Sequence, residues 1–152
     1  MTRPPRPRPT TPDPLNQLTE ELAHVRSAAS ALDLEPLLHK LPALTGLGIV
    51  RGRVRAATSL GLAAAVLSVV QVATAELDEG AGEHTLAKLL FRVHPDTAKV
   101  GPAKARLRAQ EASGVELRQF RSRWEERLRR LVAHQLLELQ YEADQRSGRG
   151  PQ

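Results

Sequence analysis

Cysteine is absent from the 152 residues, which removes disulfides, thiolate metal sites and cysteine nucleophiles from the available chemistry. Aromatic residues make up only 3% (Phe91, Phe120, Trp124 and Tyr141). A core must therefore be built from Leu, Val and Ala, a composition that favours helices over strands. The five histidines, His24, His39, His84, His94 and His134, are scattered, with no HExxH and no carboxylate at metal-ligand spacing. No phosphate loop is present, because Gly46-Leu47-Gly48 lacks the Gly and Lys that should follow. Ser59 and Ser68 sit in an apolar run without a base, and Asp78, Glu79 and Glu83 flank a glycine-containing turn and read as solvated loop. No catalytic residue, metal, cofactor or small-molecule substrate is assigned, and the chain is expected not to be an enzyme.

What is present is an uncharged run from Ala56 to Ala75, AATSLGLAAAVLSVVQVATA. It is fenced by Arg51, Arg53 and Arg55 on one side and Glu76, Asp78 and Glu79 on the other. About 20 apolar residues suffice to cross a bilayer. Against a span stand Thr58, Ser59, Ser68, Gln71 and Thr74, and the abundant Ala, which gains little from lipid but lets another helix approach. The preferred expectation is a central helix, starting near Ile49 and ending before Gly80, enclosed by others in a cytoplasmic protein; a single membrane span is the alternative. The length suits one domain with a real core.

Along the chain, residues 1–12 alternate Arg and Pro and read as an extended, disordered arm; no apolar core follows to make them a signal peptide. Asp13 as N-cap and Pro14 at the first helical position announce a helix carrying Leu15, Leu18, Leu22, Val25, Ala29 and Leu32 inward, with Glu20, Glu21, His24 and Arg26 outward. Asp33 is expected to cap a short helix that Pro42 ends, and a loop follows around Thr45, Gly46 and Gly48. After the break at Gly80-Ala81-Gly82, Thr85 to Phe91 forms a short helix whose leucines need a partner. Pro102 opens a fifth helix through Ala112, and the last runs from Glu116 to Asp144 on a stripe of Leu117, Phe120, Trp124, Leu128, Leu131, Val132, Leu136 and Leu139. Residues 145–152 read as a disordered tail. The fold class is all-α: a single bundle of about six helices, residues 13–144, around the apolar run.

The net charge is +5, and its surplus lies late in the chain. Between Gly101 and His134, Lys104, Arg106, Arg108, Arg118, Arg121, Arg123, Arg127, Arg129 and Arg130 face only Glu111, Glu116, Glu125 and Glu126. Within this basic hairpin, residues 102–144, Ala109, Ala112, Gly114, Val115 and Phe120 have helix-turn-helix spacing: small residues, a glycine turn, and an apolar residue six positions after the glycine. Ser113, Glu116 and Arg123 depart from that pattern, as does the length of the second helix. On Leu89, Leu90, Phe91, Arg106, Ala109, Gly114, Val115, Phe120, Arg121 and Glu125, residues 86–139 resemble the C-terminal helical module of uncharacterised actinobacterial regulatory and effector proteins. That resemblance implies a regulatory role.

Two functions follow as expectations. The first is a regulatory adaptor or self-associating module, its long final helix supplying the surface for a protein partner. The alternative is a DNA-binding regulator in which Arg106, Arg108, Arg118, Arg121 and Arg123 contact phosphates while Gln119 and Ser122 reach base edges.

Overall fold

Asp13 opens the first helix as its spacing predicts: its carboxylate accepts from the Leu15 N–H at 3.1 Å, and Pro14 occupies the first turn. The computed structural model describes residues 13–78 and 82–147; the expectations for residues 1–12, for Glu79, Gly80 and Ala81, and for 148–152 lie outside it. Helix α1 spans Pro14–Ser27 and buries Leu18, Leu22 and Val25. It ends at Ser27 and not beyond Leu32, which is 68% exposed in the next element. Two of its expected outward residues are also turned inward. Glu21 is buried and Arg26 nearly so, because each has a charged or hydrogen-bonding partner on another element.

Four short pieces follow: α2 (Ala31–Leu34), a 3-10 helix (Glu35–Lys40), α3 (Pro42–Gly46) and α4 (Gly48–Arg51). Asp33 lies inside α2, reaching back to the Ala29 N–H at 3.2 Å, while Ser30 is the N-cap residue. Pro42 begins α3 instead of merely ending its predecessor, since a missing N–H costs nothing in a first turn. The free amides of Ala43 and Leu44 in that turn donate to the Glu21 carboxylate at 2.9 and 2.8 Å. The Ile49 amide at the start of α4 likewise donates to Gln140 Oε1 at 2.9 Å, from 91 residues away. Side chains of the long helices thus cap the short ones.

The uncharged run does not form one helix from Ile49. Residues 52–58 leave helical conformation, and α5 covers Ser59–Ala75, with Thr58 capping the Gly61 N–H at 2.9 Å. Gly61 is required here: a Cβ would lie 2.1 Å from the Ala56 carbonyl oxygen, which folds back over the first turn. Ala63, Ala65, Val66, Val69, Val70, Ala73 and Thr74 are buried, against α2, α4, α6, α9 and the 3-10 helix. A line of Leu60, Ala64, Gln71 and Ala75 faces solvent, so enclosure is one-sided. At about 1.5 Å per residue α5 is shorter than the ~30 Å of a bilayer core; among the described residues no helix is long and apolar enough to cross a membrane.

Helix α6 (Gly82–Leu90) buries Leu86, Ala87, Leu89 and Leu90 and packs on α7 (Pro102–Ser113). Between them Arg92 adopts φ 62°, the left-handed region uncommon for a residue with a side chain. The reason is a helix stop: Val93 N–H returns to the Lys88 carbonyl at 3.0 Å and Arg92 N–H to Leu89 at 3.2 Å. Its guanidinium offsets that strain by donating to the Ala28 carbonyl at 2.8 Å and the Ala29 carbonyl at 3.3 Å, just past the end of α1. Burial holds this guanidinium below its usual pKa.

Gly114, at φ 75°, ends α7 in the left-handed conformation. Then α8 (Leu117–Gln119), a π turn (Phe120–Trp124) and α9 (Glu125–Ser147) follow without an intervening loop. Helix α9 continues past Asp144, where the tail was expected. Its stripe of Leu128, Val132, Ala133 and Leu136 is buried, mostly against α1 and α5. The architecture is an all-α bundle, with no strand among the described residues.

Candidate nucleic-acid interface

The π turn decides how the hairpin presents its charges. In a regular helix residues five apart lie about 140° apart around the axis. The Glu125 N–H instead bonds to the Phe120 carbonyl, i to i+5, and brings Phe120 and Glu125 to the same inner side. Phe120 is fully buried and Glu125 only 4% exposed. The expected inward residue Trp124 is half-buried, with the Arg127 guanidinium 5.5 Å from its ring centroid. Arg127 in turn holds Glu83 at 2.9 Å and ties α9 to α6.

Glu125 is the electrostatic centre of this end of the molecule. Its Oε1 lies 3.1 Å from Arg26 Nε of α1, and its Oε2 lies 3.0 Å from Arg106 Nε of α7. The second contact is close enough for charge attraction but not aligned as a hydrogen bond. Arg26 Nη1 is buried without a partner. Burial is the largest influence on the Arg26 guanidinium and lowers its pKa; Glu125 opposes this, and Arg106, Arg129 and Arg121 lower it further. One carboxylate therefore joins three helices, and a glutamate does this because a buried charge persists only when paired.

The sequence-predicted contacts separate into two groups. Arg106 is half-buried against Glu125 and serves the interior. Arg108, Arg118, Gln119, Arg121, Ser122 and Arg123 are all exposed. Ser122 Oγ donates to the Gln119 carbonyl at 3.3 Å, within its own helix. Among the described residues none of Arg108, Arg118, Arg121 and Arg123 forms an ion pair. The turn between α7 and α8 is held locally: the Gln110 side-chain amide donates to the Val115 carbonyl, and the Val115 N–H to Ser113 Oγ at 3.3 Å. Ser113, apolar in many helix-turn-helix segments, earns its place through that bond.

Arg26 and Leu107 were not assigned to this region from sequence, and Arg129 and Leu117 were assigned only as a member of the basic set and of the inward stripe. Arg129 Nη1 donates to the Thr19 carbonyl at 2.9 Å, and Leu107 and Leu117 are 45% and 37% exposed on the hairpin. An arginine on an amphipathic helix carries no signal of its partner 99 positions away. Leu117 was expected on the inward stripe of the last helix, which its exposure corrects, and Leu107 was placed on no stripe.

Elsewhere, His84 Nδ1 lies 2.9 Å from the Asp78 carbonyl and His134 Nδ1 3.7 Å from Glu138, around a crevice also lined by Glu76 and Gln135. Among the described residues no group of three or more His, Asp or Glu is placed to hold a metal ion. No protein-family profile, curated protein or solved structure matches the chain.

Proposed function

We propose that the protein is a non-enzymatic regulator that binds duplex DNA through the hairpin of α7, α8 and the π turn. The observation that carries this reading is the set Arg108, Arg118, Arg121 and Arg123, exposed and free of carboxylate partners among the described residues. Arginine suits the task because its planar fork donates two hydrogen bonds to a phosphate. Gln119, exposed at the end of α8, supplies the base-edge contact in this reading.

Affinity for duplex DNA should fall with salt at a log-log slope near −0.9 per phosphate contacted. Replacing Arg118 and Arg121 together with Ala should flatten that slope by about two contacts, whereas Gln119→Ala should change sequence preference and leave the slope intact. Absence of binding to random duplex even at low salt sinks the reading.

A second reading, a protein adaptor, is favoured by the exposure of Leu107 and Leu117 beside those arginines. It shifts from the final helix to the hairpin. On α9 the stripe of Leu128, Val132, Ala133 and Leu136 is buried, and its outer side offers Glu126, Arg130, His134, Glu138 and Glu142, with Tyr141 as its large exposed apolar side chain at 65%. A partner lost on Leu107→Ser and Leu117→Ser, with DNA binding absent, would select it.

A further inference from the structure

Around Glu125 there is more positive charge than one carboxylate can neutralise. Arg121, Glu125 and Arg129 follow one another at four-residue steps, and Arg26 and Arg106 reach the same carboxylate from α1 and α7. Two guanidiniums thus hold one carboxylate, and Arg121 and Arg129 stand close enough to Arg26 for their charges to act on it. The surplus is not matched nearby. Arg129 donates to a neutral carbonyl, Arg121 has no ion pair among the described residues, and Arg26, its side chain 10% exposed, keeps a buried Nη1 with no partner.

We propose that this cluster is a phosphate-binding site, with Arg106 and Arg121 at its open rim and Arg26 and Arg129 behind them. Phosphate fits by chemistry. Glu125 engages the Nε atoms of Arg26 and Arg106 and leaves the terminal nitrogens of the part-exposed Arg106 for an incoming anion, and guanidiniums bind phosphate oxygens in pairs. A dianion also relieves the mutual repulsion of the four cations, an effect strengthened by the low dielectric behind the rim. The proposal deepens the nucleic-acid reading and rests on it for the source of the phosphate, either a strand's backbone and 5′ end or the free ion.

The experiment uses the whole chain and two probes. Inorganic phosphate is titrated against chloride at matched ionic strength, followed by thermal shift and calorimetry; then 5′-phosphorylated and 5′-hydroxyl duplexes of one sequence are compared. At matched ionic strength phosphate should raise Tm by mass action beyond the rise that chloride gives by screening. Arg121→Ala, an exposed change, should weaken phosphate about tenfold or more, whereas Arg55→Ala, which removes an equal charge outside the hairpin, should leave phosphate affinity unchanged. An equal shift with chloride, or equal losses in the two variants, overturns the site. Duplex binding without any phosphate response ends this proposal and keeps the DNA reading. Arg121-dependent phosphate binding without duplex binding keeps the site, assigns it to the free ion, and ends the DNA reading.

Discussion

Glu21 and Glu125 are both buried carboxylates, 5% and 4% exposed, and the bundle satisfies them by opposite means. Glu21 accepts from the Ala43 and Leu44 backbone N–H groups at the start of α3 and from the Gln17 side-chain amide. Its charge meets dipoles, which add no charge of their own. Glu125 meets guanidiniums from two other helices, each bringing a full positive charge. Both solutions offset the cost of desolvating a carboxylate. Only the second leaves a surplus, and it includes Arg121 of the exposed hairpin set.

The contrast can be tested from its strongest consequence downward. Glu125→Ala strands two largely buried guanidiniums and should destabilise the fold by about 3–5 kcal/mol in urea denaturation; a loss below about 1 kcal/mol would mean that the arginines simply swing into solvent. Glu21→Ala leaves backbone donors without an acceptor, and the same measurement should register about 1–3 kcal/mol. If it equals or exceeds the Glu125 loss, backbone dipoles and guanidiniums are not different solutions. A smaller effect concerns the surplus itself. Raising NaCl from about 0.1 to 1 M shortens the Debye length from about 10 to 3 Å, so repulsion among Arg26, Arg106, Arg121 and Arg129 should be screened and Tm should rise. The rise should shrink in Arg121→Ala; an undiminished rise would place the repulsion elsewhere. Last, Arg118→Ala and Arg123→Ala should leave Tm unchanged, because both residues are exposed and without ion pairs among the described residues. A clear drop in either would reveal a structural duty for that arginine.

Local rules carried much of the fold. Asp13 with Pro14, Pro102 at the first turn of α7, and Gly114 in the left-handed conformation act within a few residues of themselves, so the sequence displays them. The inward stripe of α9 was legible for the same reason. What escaped depends on distant partners. Glu21 and Arg26 have the polarity of a solvated face until α3 and Glu125 are placed beside them. The break at residues 52–58 contains no proline; its signs are the Thr58 cap and Gly61, whose necessity appears only with the Ala56 carbonyl over it. The π turn inserts its extra residue without any composition of its own, and so shifts the expected inward position from Trp124 to Glu125. At the hairpin, exposure of Arg108, Arg118, Gln119, Arg121, Ser122 and Arg123 agrees with helical periodicity. Arg106 differs because its ion-pair partner lies 19 positions later.

The pairing of α1 with α9, the most extensive between any two elements, also sets an order of events during synthesis. Helix α1 leaves the ribosome well before α9, with Leu18, Leu22 and Val25 ready to be buried. The residues that cover and bind it, Glu125, Arg129 and Arg130, arrive about a hundred positions later. At about 5–20 residues per second that delay is roughly 5–20 s, during which an apolar helix face waits for a partner not yet made. A nascent chain halted before the π turn should therefore expose that face to chaperones, and one released after α9 should not.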